Sequence, residues 1–202
     1  MRFIRKPVPT FRNALLGAGP LNDIVRLTEA YRFAADRHVG QRRKGEAAEP
    51  YVNHLTEVAD LVARATNGSD VELVIAAVLH DTVEDTDTTF EEISARFGPR
   101  VAGLVAEVTD DKTLPKEVRK RLQVEHAAHA SQGAKVIKLA DKTSNLRAMA
   151  DSPPRNWSEA RRAEYLEWGR QVVANCRGAN RWLEEKFDAA AAALEARVGV
   201  PA

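Results

Sequence analysis

Between Val71 and Leu79 the chain reads Val-Glu-Leu-Val-Ile-Ala-Ala-Val-Leu, with Glu72 its sole charge. A helix built from this run has almost no polar face, so it must be covered by other elements on most sides. Asp70 is placed to cap its start, and the segment ends at His80-Asp81-Thr82-Val83-Glu84-Asp85. An imidazole and a carboxylate are thus carried to the end of a buried helix. Burying them without partners costs several kcal/mol.

The surrounding sequence supplies helices to cover that run. Leu21, Ile24, Val25, Leu27, Ala30, Tyr31, Ala34 and Ala35 recur at helical spacing between Leu21 and Val39. Gly40 to Pro50 is polar and reads as a loop carrying Arg42, Arg43 and Lys44, before a helix over Tyr51 to Ala65. The apolar helix is predicted over Val71 to Thr82, and further helices over Thr89–Phe97, Val101–Val108, Pro115–Ser131, Ala134–Ala150, Ser158–Cys176 and Gly178–Arg197. The predicted architecture is all-α, a single-domain helical bundle. Its body covers 21–197, after an N-terminal arm at 1–20 punctuated by Pro and Gly and before a short tail at 198–202.

Composition removes several functional classes. With 30 basic and 29 acidic residues the net charge is +1, which argues against binding DNA or RNA through bulk charge. The single cysteine, Cys176, allows neither an internal disulfide nor a thiolate cluster and suits a reducing compartment, so the cytoplasm is expected. No stretch approaches the roughly 18 to 20 apolar residues that span a bilayer, and no membrane association is expected. An anionic small molecule would be held by local cations.

Three segments supply ligand chemistry: His54, then His80-Asp81, then Asp141 at the end of Val136-Ile137-Lys138-Leu139-Ala140-Asp141. Mixed nitrogen and oxygen donors suit manganese, zinc, iron or cobalt better than magnesium or calcium, and one manganese ion is the leading expectation, with zinc or iron as alternatives. Glu84 follows His80 by four residues, and Asp85 follows Asp81 by four, so each would stack one turn further along the same helical face. A carboxylate so placed can orient or deprotonate a water, while its neighbour assists the leaving group. The same spacing sets Asn145 beside Asp141.

The order His54, His80-Asp81, Asp141 resembles the signature of the HD-domain phosphohydrolases. His38-Val39-Gly40-Gln41-Arg42-Arg43-Lys44, Tyr51-Val52-Asn53-His54, Leu79 through Thr86 and Leu139-Ala140-Asp141-Lys142 are similar to the hydrolase domain of RelA/SpoT proteins, in particular the stand-alone small alarmone hydrolases of the metazoan SpoT type. Val108 through Lys116, Arg121 through Glu125 and Glu164-Tyr165-Leu166-Glu167-Trp168 match as well, so the resemblance covers about Leu21 to Glu185.

That resemblance implies manganese held by His54, His80, Asp81 and Asp141, and a catalytic pair Glu84 and Asp85. The implied reaction removes the 3′-pyrophosphate of guanosine tetra- or pentaphosphate. It also implies nucleotide contacts from Arg43, Lys44, Lys142, Asn145 and Tyr165, with Lys116 and Arg161 reaching distal phosphates. His38 falls outside the ligand pattern and is expected to serve as a hydrogen-bonding, structural histidine. Gly45, Leu55 and Thr143-Ser144 depart from the family's usual residues, which are Asp or Ser, Pro, and a bulkier Leu-Tyr or Leu-His pair. Two enzyme alternatives use the same shell, on adenosine alarmones or on the 2′-phosphate of NADPH, and a third reading is a nucleotide-sensing helical module.

Overall fold

A computed structural model describes residues 22–198. The expected arm at 1–20 and all of the tail after Val198 lie outside the described residues. Ten helices follow one another among the described residues: α1 (Asp23–Arg37), α2 (Val52–Ala65), α3 (Val71–Leu79), α4 (Thr82–Asp85), α5 (Phe90–Phe97), α6 (Pro99–Val108), α7 (Lys116–His129), α8 (Gln132–Asp151), α9 (Glu159–Ala174) and α10 (Arg181–Val198). Among the described residues there is no strand beyond an isolated Arg42–Pro50 bridge, so the chain is an all-α bundle. No described helix is long and apolar enough to cross a membrane.

Helix α3 is the centre, as its composition requires. Leu73 through Leu79 are all buried, and α1, α2, α6 and α8 pack around them. Burying a side chain such as Ile75 or Leu79 stabilises by about 1.5–3 kcal/mol. The long α8 crosses this centre with α10 laid along it. It is buried nearly all round between Ala134 and Ala150, and Lys138 and Lys142 are buried with it.

Local chemistry sets the helix ends. Asp70 accepts from the Leu73 N–H at 3.1 Å, and Thr89 from the Glu92 N–H at 3.2 Å. Gly98, at φ 99°, both ends α5 and precedes Pro99 at the first position of α6, a backbone state that side-chain-bearing residues rarely adopt.

Two boundaries correct the expectation. The apolar helix stops at Leu79 rather than Thr82, because the His80 Nδ1 bonds the Ala77 carbonyl at 2.8 Å. That acceptor would otherwise take the Asp81 N–H. The chain then turns at Asp81 and makes the one-turn helix α4, so His80-Asp81 and Glu84-Asp85 belong to two short elements rather than one continuous face. Likewise Ser131 does not end α7. It caps α8, accepting from the Ala134 N–H, while Ala130 is extended.

The loop from Gly40 to Pro50 folds back on itself, with the Arg43 N–H on the Glu49 carbonyl at 2.9 Å and the Tyr51 N–H on the Gln41 carbonyl at 3.1 Å. Its tip packs on the end of α8 through the Ala47 N–H and Ser152 Oγ, 2.9 Å apart. A Cβ at Gly45 would lie 2.2 Å from the Ser152 carbonyl oxygen. The missing side chain is what permits the close approach. Leu55 is completely buried in the core.

Candidate metal centre

His54 leaves the first turn of α2, His80 sits just past the end of α3, Asp81 begins α4, and Asp141 lies midway along α8. The four meet. His54 Nε2 is 3.2 Å from Asp141 Oδ1 and 3.5 Å from Asp81 Oδ2, and His80 Nε2 is 3.1 Å from Asp81 Oδ2 and 3.8 Å from Asp141 Oδ1. Donor atoms of His54, His80 and Asp81 all fall within 4.8 Å of one another. Asp141 closes the group through its contacts with both imidazoles, while its other oxygen is bonded to Lys142 Nζ at 2.9 Å.

The polar chemistry of this cluster fits a divalent cation. Both histidines are buried, and among the described residues His80 Nε2 has no hydrogen-bond partner. Its other nitrogen is committed to the Ala77 carbonyl, an acceptor only, so that nitrogen carries the hydrogen and Nε2 has a lone pair whenever the ring is neutral. Ligands about 2.1 Å from one cation lie roughly 3 to 3.5 Å apart, which three of the four spacings match, while His80 and Asp141 stand wider at 3.8 Å.

Electrostatics follow from the same packing. Burial works against ionising Asp81, yet the flanking His80 and His54 hold its carboxyl well below the usual range. Asp141 is also held well below it against burial, chiefly by Lys142. Burial likewise disfavours a charged His80, but the carboxylates of Asp81 and Asp141 outweigh it and push the imidazole upward. Tyr51 donates its hydroxyl to Asp81 Oδ2 at 2.6 Å, and burial together with Asp81 keeps that phenol protonated.

Glu84 and Asp85 lie on α4, directly after the ligands. Burial raises the Glu84 carboxyl to about 7, and it accepts from the Asp110 N–H at 3.1 Å with Arg119 Nη1 at 3.8 Å. Asp85 pairs with Lys112, and its carbonyl accepts from Gln41 Nε2 at 2.8 Å. Gln41 in turn bonds His38 Nδ1 at 2.7 Å, and the His38 ring stacks on Tyr51. His38 therefore braces the site from outside the ligand group.

The structure brings only some of the expected nucleotide contacts together. Arg43 Nη1 donates to Asn145 Oδ1 at 3.1 Å, and Asn145 Nδ2 to Asp141 Oδ1 at 2.6 Å, so these two are tied to the ligand group. Lys142 Nζ sits 4.5 Å from the Trp168 ring centroid, with Tyr165 packed between Trp157 and Trp168. Burial raises the Tyr165 hydroxyl. Arg161 is exposed and stacks on Trp157, while Lys44 and Lys116 are exposed. A cleft of about 220 Å³ opens beside His54, walled by Arg43, Gly45, Glu57 and Arg147.

Sequence reasoning missed Tyr51, Gln41, Lys112 and Arg119, whose contacts reach Asp81, Asp85 and Glu84. Only Tyr51, three residues before His54 on the same helical face, left a spacing signal.

The model of the HD domain matches residues 30–167. The chain is 52% identical over 167 residues to the guanosine-3′,5′-bis(diphosphate) 3′-pyrophosphohydrolase MESH1 of Xenopus tropicalis, covering 83% of this chain and 93% of that one. The Homo sapiens protein of the same name is 52% identical over 164 residues, covering 81% and 92%. A solved metazoan orthologue of SpoT, which hydrolyses ppGpp and plays a role in starvation responses, superposes with a TM-score of 0.81 at 43% identity, over 91% of this chain and 100% of that one.

Proposed function

The chain belongs to the HD-domain family, among the 3′-pyrophosphohydrolases similar to the metazoan SpoT homologue, and on that premise we propose that it degrades guanosine alarmones. It is a hydrolase that converts guanosine tetra- or pentaphosphate to GDP or GTP and pyrophosphate. The observation that carries the reading is the buried meeting of two imidazoles and two carboxylates beside a carboxyl raised to about 7.

His54, His80, Asp81 and Asp141 would hold one manganese ion, with zinc or iron as alternatives. When bound, such an ion makes water more acidic and offsets phosphoryl charge. Water adds to the phosphorus attached to the 3′ oxygen, and the bond between them breaks. Glu84, partly ionised near neutral pH, accepts the proton from water, and Asp85 assists proton delivery to the departing 3′ oxygen. Arg43 and Lys44 grip the nucleotide, the planar guanidinium of Arg43 being suited to stack on a base. Asn145, Lys142 and Tyr165 complete the near wall, and Lys116 and Arg161 reach the distal phosphates.

Residues 21–197 act as one catalytic unit with a small-molecule nucleotide as partner, not DNA, RNA or membrane. The buried free thiol of Cys176 suits the cytoplasm. The test is product identification: the manganese-loaded chain is incubated with guanosine tetraphosphate, its adenosine counterpart and NADPH. GDP and pyrophosphate formed fastest from the guanosine substrate support the reading, whereas an intact guanosine substrate over hours overturns it.

A further inference from the structure

The two histidines of the centre are oriented by different means. His80 Nδ1 is fixed by a main-chain acceptor, the Ala77 carbonyl. His54 Nδ1 instead meets a side chain, Ser144 Oγ, at 2.9 Å, and Ser144 Oγ lies 2.6 Å from Glu57 Oε2. The other oxygen of Glu57 accepts from Arg147 Nη1 at 2.9 Å. His54 and Ser144 are buried, and Glu57 is half-buried.

The direction of this chain of bonds is determined by proton count. A carboxylate only accepts, so Ser144 gives its single hydrogen to Glu57. The serine oxygen is then left as an acceptor, and His54 Nδ1 must be the donor. Glu57 lies three residues after His54 on α2, and Ser144 three after Asp141 on α8, so each is one turn from a ligand and the bond spans the two helices.

We propose that Ser144 and Glu57 are positioning residues that hold His54 with its hydrogen on Nδ1 and its Nε2 lone pair turned to the cation, with Arg147 steadying the carboxylate. Partners of this kind orient a ligand ring and typically change cation affinity by about 10- to 100-fold. The role falls at Ser144 on α8, three residues after Asp141. It rests on the metal-centre reading above.

The test uses the full chain and titrates manganese or zinc alone against a competing chelator dye. Ser144→Ala should weaken binding by about 10- to 100-fold, Ser144→Thr should recover it to within about threefold, and Glu57→Gln should weaken it by about three- to tenfold. In the zinc-loaded wild type, NMR should show slowly exchanging Nδ1–H resonances for both His54 and His80. Ser144→Ala should lose the first and keep the second. Affinity unchanged within about twofold in Ser144→Ala, or a wild-type His54 with no hydrogen on Nδ1, overturns the positioning role, and the wild-type spectrum decides regardless of how any variant folds. Failure of the wild type to bind either cation would instead overturn the metal centre itself.

Discussion

The ligand group and the cationic rim are built to different standards. His54 and His80 are buried, Asp81 is tied to Tyr51 and Asp141 to Lys142 and Asn145, so each ligand is restrained by at least one neighbour. Around the rim, Lys44, Lys116 and Arg161 are exposed, whereas Arg43 is anchored toward the centre through Asn145. Bond breaking needs reacting groups held within fractions of an ångström, whereas gripping phosphate charge tolerates long, solvated side chains. On the function proposed above, the centre would fix the reaction and the rim would grade the affinity.

Removing a ligand should break that contrast most severely. His54→Ala or Asp81→Ala is expected to abolish cation binding and lower turnover by at least about a thousandfold, measured by metal analysis and pyrophosphate release. Prolonged chelation of the wild type should match this loss and be reversed by manganese, with helical content unchanged by circular dichroism.

Glu84→Gln should come next, retaining the cation but losing about 10²- to 10³-fold in kcat together with the acid limb of the pH–rate profile. It should also shift stability in the opposite direction. The folded Glu84 carboxyl is raised from 4.5 to about 7, so its contribution is complete below pH 4.5 and is lost as pH rises through about 7. In chelator at pH 8 the Gln variant should be more stable than wild type by on the order of 2 kcal/mol, read by urea unfolding. Equal stability would show that Glu84 is solvated rather than buried.

The rim variants sharpen the comparison at its weaker end. Arg43→Ala should raise KM about tenfold or more, with cation affinity unchanged, because a charged donor is lost. Lys44→Ala and Lys116→Ala should each raise KM only about two- to fivefold, and this effect should shrink in high salt. A rim substitution that lowered cation affinity would erase the distinction between the two regions.

The same contrast explains what could be read from sequence. Apolar periodicity, with start and stop signals, located every long helix, because burial in the shared core demands that pattern. It overran at His80, where a ring-to-carbonyl bond ends the helix, and at Ser131, where a hydroxyl starts one. Such side-chain competition with the backbone leaves no periodic trace. The four proposed ligand positions stood out as polar residues in or beside apolar segments. Their supports did not: nothing in the sequence assigns a role to Gln41, Glu57 or Arg119, and only the fold brings them to Asp85, Ser144 and Glu84.

Anomalous diffraction at the manganese edge, from crystals soaked in manganese, tests the shared centre most directly. One peak is expected within about 2.3 Å of a donor atom from each of His54, His80, Asp81 and Asp141. A peak that excludes His54 or Asp141, or no peak among these four side chains, would contradict it.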